Sequence, residues 1–219
     1  MAKPQNADVT RPAPRFYLVT PLLGEVDAFA DALGRAIEAA DVAALLVRLQ
    51  PDAERTLIDR AKRLASIVQP KGVALLIDSH AEIVARAGAD GAHLIGIEAF
   101  TAAAASLKPA RIAGCGGLPT RHDAMLAGER GADYVMFGEI DADGRRPSFP
   151  AIVERVEWWA HLFEIPCVGF AASAQEIAPL AAAGADFVAI GGELWDDPRG
   201  PAQAVAEAAA QLALPEPVP

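Results

Sequence analysis

Apolar residues alternate between two patterns along this chain: helical spacing over several turns, then short unbroken runs. Three segments show the change of pattern in nearly the same words. They are Ala-Gly-Ala-Asp-Gly-Ala-His-Leu at 87–94, Arg-Gly-Ala-Asp-Tyr-Val-Met-Phe-Gly at 130–138 and Ala-Gly-Ala-Asp-Phe-Val-Ala-Ile-Gly-Gly at 183–192. In each, a glycine suited to the left-handed conformation closes an alanine-rich helix, Ala-Asp turns the chain, and an apolar run too short for an amphipathic helix follows. A buried strand thus follows a helix at least three times. Extending the pattern predicts strands at 16–20, 44–49, 73–77, 91–94, 111–114, 134–138, 167–170 and 187–190. The intervening helices are expected at 26–39, from Pro51 and Asp52 to about 68, 81–87, 99–107, 120–129, after a polar loop at 139–149 to about 164, 173–183 and 202–212. Ser173 to Glu176 reads as a capping box opening the seventh helix.

Eight strands alternating with eight helices exceed the usual size of a doubly wound sheet, so the prediction is a single-domain α/β fold, a (β/α)8 TIM barrel, over 15–214. Residues 1–14 read as a disordered leader and 215–219 as a Pro-rich tail. At 219 residues and 53% apolar, the chain suits one domain whose strands are buried on both faces. In such a barrel function is sought in the loops after the strands.

Composition narrows the classes of partner. No window of about 18 residues is apolar and free of charge. The polar, Pro-rich start does not read as a secretion signal, so a cytosolic protein is expected. A net charge of −10 with four lysines argues against nucleic acid, and any anion must be held by a local arrangement against the global field. Cys167 falls in a predicted strand and Cys115 at the end of one, and both read as reduced, structural thiols.

Candidate chemistry gathers at the strand ends. Gly191 and Gly192 follow the eighth strand, where backbone N–H groups commonly hold phosphate, and Gly169, Ala171 and Ala172 end the seventh with small residues. Gly114, Gly116 and Gly117 end the fifth strand, leaving room for a substrate ring or forming a tight turn into Pro119. Arg145 and Arg146 are an adjacent basic pair on the polar loop, and could meet phosphate or pair with Asp141 or Asp143. Arg48 interrupts an apolar strand and should point into the barrel mouth, toward an anion or a carboxylate. Asp78 and Glu98, on neighbouring strand ends, could hold Mg²⁺ or serve as helix caps or first-turn acids. His80 and His122 are titratable groups near the same rim, whereas His93 lies inside a strand as a core histidine.

These segments resemble the thiamine-phosphate synthase/TenI superfamily over nearly the whole chain from residue 15. The resemblance is carried by Tyr17-Leu-Val-Thr20, the block from Leu75 to Leu94, and Gly131-Ala-Asp-Tyr-Val and Gly184-Ala-Asp-Phe-Val; Phe137-Gly138 leans toward the TenI branch. Where the family's second strand ends Gln-x-Arg-x-Lys, this chain has Leu46, Arg48 and Gln50. Asp78-Ser79 replaces an Asn-Asp pair whose Asp binds Mg²⁺, and Glu98 falls at the second metal position. Gly116-Gly117 replaces Ser-Thr, Arg146 a lysine, Ala171-Ala172 a Gly-Gly, and Gly191-Gly192 a Val-Ser.

The resemblance implies condensation of a hydroxymethylpyrimidine pyrophosphate with a thiazole phosphate, releasing pyrophosphate. Mg²⁺ would sit at Asp78 and Glu98, with Arg48 and Arg146 on the pyrophosphate. The Gly191-Gly192 backbone, with Gly169 and Ala171, would hold the thiazole phosphate, and Tyr17, Gly116 and Gly117 would shape the substrate pocket. Two alternatives stand beside it: a TenI-like thiazole tautomerase with His122 as base, and a non-catalytic protein that keeps the phosphate pocket. Small phosphorylated molecules are the expected partners, with neither nucleic acid nor membrane, and with room for a homo-oligomer.

Overall fold

A computed structural model describes residues 12–140 and 144–212. Within them β1 (Arg15–Leu23), β2 (Val42–Leu49), β3 (Ala74–Asp78), β4 (Gly91–Ile95), β5 (Ile112–Gly116), β6 (Tyr134–Phe137), β7 (Cys167–Ala171) and β8 (Phe187–Ile190) pair in sequence order as a closed parallel barrel. Helices α1 (Asp27–Glu38), α2 (Glu54–Val68), α3 (Val84–Ala87), α4 (Ile97–Leu107), α5 (Arg121–Glu129), α6 (Phe149–Leu162), α7 (Ile177–Ala182) and α8 (Pro201–Leu212) alternate with the strands. The predicted (β/α)8 barrel is the observed architecture. Residues 1–11 of the expected leader, Asp141 and Asp143, and the 215–219 tail lie outside the described residues. No described helix is long and apolar enough to cross a membrane.

The repeated Gly-Ala-Asp does more than turn the chain. Gly88, Gly131 and Gly184 take φ of +68°, +86° and +93°, the region that glycine reaches without strain. The next-but-one residue then clamps the neighbouring strand. Asp90 Oδ2 accepts from Leu75 N at 2.7 Å, Asp133 Oδ2 from Ala113 N at 2.8 Å and Asp186 Oδ2 from Cys167 N at 2.8 Å. Each aspartate's own N–H returns a bond to the carbonyl of the same residue. These clamps fix the registers of β3 with β4, β5 with β6 and β7 with β8. Asp41 varies the device, accepting Phe16 N on its carbonyl and Arg15 on its carboxylate.

Strand alternation divides the core into two. Outward residues such as Phe16, Leu45, Leu75 and Ile77 pack with the helices and with Trp159, whose Nε1 donates to Ile165 O at 2.8 Å. Inward residues, among them Tyr17, Val19, Leu46, Leu76, Tyr134, Met136, Val168 and Ala189, fill the barrel. Cys115 and Cys167 are buried on the outer side, and burial pushes the Cys115 thiol up to about 12, so Cys115 is no poised nucleophile.

The predicted capping box at Ser173 is absent: its side chain makes no cap bond, and Glu176 turns instead to Arg146. A capping box forms at α5, where Thr120 and Asp123 satisfy each other's backbone N–H.

Candidate active site

Along β5 the inward positions beyond Ile112 are bare, because Gly114 and Gly116 carry no side chain. Larger groups from the neighbouring strands lie across the gap. A Cβ on Gly114 would enter the Tyr134 ring, and one on Gly116 would strike Glu139 Oε2 and His93 Nε2. The space expected for a substrate ring at Gly116 is therefore filled by the protein itself. Gly117, at φ +60°, remains exposed at the rim, and its N–H donates to Glu139 Oε2 at 2.9 Å.

Four groups run from this rim into the barrel. His93 Nε2 meets Glu139 Oε1 at 2.8 Å, His93 Nδ1 meets the Tyr134 hydroxyl at 2.9 Å, and that hydroxyl meets Tyr17 Oη at 2.7 Å. His93 is fully buried while Glu139 keeps 14% exposure, so the chain has a single wet end. Tyr17 is buried at the dry end among apolar residues, not at a substrate pocket. One proton arrangement satisfies every group: Tyr17 donates to Tyr134, Tyr134 to Nδ1, and Nε2 to Glu139. An imidazolium would reverse the first two bonds and leave the Tyr17 hydroxyl with no acceptor. Burial of the imidazole opposes its charge, yet the charge and hydrogen bond of Glu139, joined by the charge of Asp78, hold the His93 pKa above its usual value. Burial pushes both tyrosines well up, keeping them protonated.

Beside Glu139 opens a cleft of about 440 Å³ between the β5 and β6 loops and α6, lined by Gly117, Glu139, Arg145, Arg146, Pro147 and Arg155. Arg146 reaches this cleft but does not extend a free fork into it. Its Nη1 and Nη2 donate to both oxygens of Glu176 at 2.9 and 2.7 Å, Nη2 also to Phe170 O, and Nε to Gly138 O. With both side chains only 16% exposed, this bidentate pair ties the β6 loop to the seventh strand. Arg155 donates to Leu118 O at 2.8 Å.

Arg48 stands elsewhere on the mouth. It continues the inward face of Ala44 and Leu46 and keeps 46% exposure, with Nε 3.9 Å from Asp78 Oδ2. Asp78 is the Cα partner of His93 and accepts from Ser79 Oγ at 2.8 Å. Ser79 sits at φ +61°, a strained conformation for a residue with a side chain and one that concentrates at functional sites. Glu98 is exposed in the first turn of α4. Among the described residues no three His, Cys, Asp or Glu side chains gather as a ready cation site. Mg²⁺ needs only one or two protein carboxylates beside substrate oxygens and water, so it does not depend on such a cluster. His122 is exposed in the first turn of α5 and does not line the cleft, and His80 pairs with Glu82 at 2.9 Å.

On the opposite side the small residues have two explanations. Gly169 faces outward, where a Cβ would stand 2.9 Å from Leu180 Cδ2, and Ala171 is buried in the outer core. Their size lets α7 close on the sheet, so they are not open surface for a phosphate. Gly191 is pressed against Val19 O, 2.6 Å from where a Cβ would be, whereas Gly192, at φ +48°, faces open space. Two carboxylates crowd this side. Glu176 Oε2 accepts from Ala172 N and Glu193 Oε1 from Ala174 N, each at 2.8 Å. Arg48, Arg146 and Gly191 thus occupy three sectors of one rim, and of these only Arg146 lines the β5–β6 cleft.

Sequence reading assigns no chemical role to Glu139 or Glu193, and to Glu176 only that of a cap. For Glu139 a signal was available: an acid one residue beyond the glycine that ends a strand, much as Asp78 ends its own.

The closed parallel barrel, with arginines, carboxylates and glycine turns at the carboxyl ends of its strands, defines a class: single-domain β/α-barrel proteins working from that face. The profile of thiamine monophosphate synthase matches residues 16–194, and the chain belongs to that family. It is 38% identical over 197 residues to the thiamine-phosphate synthase of Rhodospirillum centenum, spanning 88% of this chain and 95% of that one. The thiamine-phosphate synthase of Hyphomonas neptunium is 38% identical over 205 residues, spanning 89% and 92%. Among solved structures, thiamine phosphate pyrophosphorylase from Pyrococcus furiosus superposes with a TM-score of 0.74 at 18% identity, over 90% of this chain and 95% of that one. A 3-hexulose-6-phosphate synthase gives 0.66, also at 18% identity, over 90% and 100%. At such identities these two speak to the fold alone.

Proposed function

We infer that this protein is a transferase of the thiamine-phosphate synthase type, joining a hydroxymethylpyrimidine pyrophosphate to a thiazole phosphate with release of pyrophosphate. The observation that carries the reading is the 38% identity to a thiamine-phosphate synthase across nearly the full length of both chains. In this reaction the bond from the pyrimidine methylene to pyrophosphate oxygen breaks, its electron pair leaving with pyrophosphate. The thiazole nitrogen then supplies the pair for the new C–N bond. The protein's work is to position two small anionic molecules and to balance charge as it moves.

Arg48 is the half-exposed cation at the mouth and takes the pyrophosphate. Asp78 beside it, with Glu98 at the rim, would hold Mg²⁺, which would supply neutralisation of charge on the departing group. The backbone at Gly192, free of a Cβ and open to the mouth, takes the thiazole phosphate, while Gly191 sets its approach. Arg146 acts through Glu176, holding the β6 loop over the site. The substrates are small phosphorylated molecules, and we place the activity in the cytoplasm. The exposed position of His122 outside the cleft gives the tautomerase alternative no support.

The test is pyrophosphate release on mixing the protein with both substrates and Mg²⁺. Stoichiometric release with formation of thiamine phosphate is expected. No release, together with no heat when either substrate is titrated into the protein, overturns the assignment.

A further inference from the structure

Glu139 is held as few surface acids are. Oε1 accepts from or shares a proton with His93 Nε2, and Oε2 accepts Gly117 N–H. Its carboxylate occupies the place a side chain on Gly116 would take. Behind it His93 is held by Tyr134, which is held in turn by Tyr17, so the carboxylate cannot swing away without leaving a buried imidazole nitrogen unpaired. Each carboxylate oxygen accepts about two hydrogen bonds, so one site on each remains for the cleft it lines. Apolar surface lies next to it: a Cβ on Gly117 would stand 2.7 Å from Ile95 Cγ2, and Ile95 and the adjacent Ile140 are 45% and 57% exposed. A fixed anion beside exposed aliphatic surface matches the N–H-bearing edge of a flat, nitrogen-bearing ring. His93, which holds Glu139, is the Cα partner of Asp78, and Asp78 stands beside Arg48, so the phosphate end of such a ligand belongs to the Arg48 sector.

We propose that Glu139 is a catalytic and specificity-determining residue that binds the exocyclic amino group of an aminopyrimidine pyrophosphate and stabilises the positive charge that spreads onto that group. The inference rests on the synthase reading and deepens it. The family's pyrimidine-holding Gln position is occupied here by Leu46, which is buried inside the barrel and offers no hydrogen bond. As the methylene–oxygen bond breaks and its pair leaves with pyrophosphate, the remaining cation is delocalised through the ring to the amino nitrogen. A carboxylate already in place at that nitrogen interacts more strongly with the transition state than with the ground state, with no reorganisation at the moment of reaction. No proton transfer is required, and the thiazole nitrogen's lone pair completes the exchange. His93 is the positioning residue that fixes the carboxylate.

The experiment compares wild-type protein with Glu139→Gln, using 4-amino-5-hydroxymethyl-2-methylpyrimidine pyrophosphate and its analogue lacking the amino group. With the amino substrate, kcat of Glu139→Gln is expected to fall about 100-fold, in the range found for removing one preorganised electrostatic partner. With the deamino analogue the same substitution should change kcat by less than about threefold, because the group it addresses is gone. Equal losses with both substrates overturn the proposal while leaving the synthase reading intact. Calorimetry of wild type with the unphosphorylated aminopyrimidine and its deamino counterpart tests it independently of the variant's folding. A preference of at least about tenfold for the amino compound supports it, and equal affinities overturn it. Amino-selective binding without any turnover would instead fail the synthase reading and retain recognition by Glu139.

Discussion

The two sides of the barrel mouth use the same bond for different ends. Around β5 and β6, Glu139 accepts a loop N–H at Gly117; around β7 and β8, Glu176 and Glu193 do so at Ala172 and Ala174. What lies behind the carboxylates differs. Glu139 is backed by a fully buried imidazole and two buried hydroxyls, Glu176 by a guanidinium, and Glu193 by no cation within ion-pair distance among the described residues. The contrast shows how rigidity is graded around one rim. The first carboxylate is fixed by the core, the second by a loop pair, and the third can be displaced by a competing anion.

Breaking the middle grade should cost most. Arg146→Ala leaves Glu176 and the carbonyls of Gly138 and Phe170 without their donor in a nearly dry setting. A loss of about 3–5 kcal/mol in denaturant-measured stability is expected. Lost activity at unchanged stability would instead make Arg146 purely a ligand contact. Next comes Gly116→Ala, whose Cβ takes the place of the Glu139 carboxylate. Chemical denaturation should register about 1–3 kcal/mol as that carboxylate leaves its buried partner, and an unperturbed variant would show that the contact is loose.

The third prediction uses pH. The His93 pKa is raised in the folded protein, so the stability its protonated form contributes is fully present below the unfolded value of about 6.5 and is lost as pH rises through the folded value. Glu139→Gln removes the charge chiefly responsible for the upward pull. The gap in urea midpoint between wild type and variant should therefore be widest below pH about 6.5 and narrow as pH rises above that value; a gap constant with pH would contradict this. The smallest effect belongs to the third carboxylate. Glu193→Ala frees Ala174 N–H and removes a negative charge beside Gly192. Thiazole phosphate should bind about threefold to tenfold more tightly by calorimetry, and weaker binding would make Glu193 part of the site.

The barrel was legible because its signals are local. A glycine that ends a helix, an aspartate that turns the chain and a short apolar run are each visible within ten residues, and their repetition identifies the topology. Arg48 was legible for a related reason, since a charge at an inward strand position must emerge at an end. The β5 glycines misled because an absent side chain looks like empty space along one strand. Whether Tyr134, His93 or Glu139 fills that space depends on neighbours 20 to 23 residues away in the chain and on the barrel's closure. Gly169 misled in the same way: strand alternation turns it toward Leu180, and the sequence around it gives no sign of which face it shows. Ser173 and Glu176 had the spacing of a cap, but an arginine thirty residues upstream offered Glu176 two hydrogen bonds where the cap offered one.

The aspartate clamps at the bottom of the barrel carry a consequence for ancestry and engineering. Because Asp90, Asp133 and Asp186 each latch their own strand to the one before it, a segment of two strands and the helix between them travels with its latch included. Recombination or duplication in blocks of that size keeps every latch matched. Exchange of one strand at a time would part an aspartate from the amide it was built to meet.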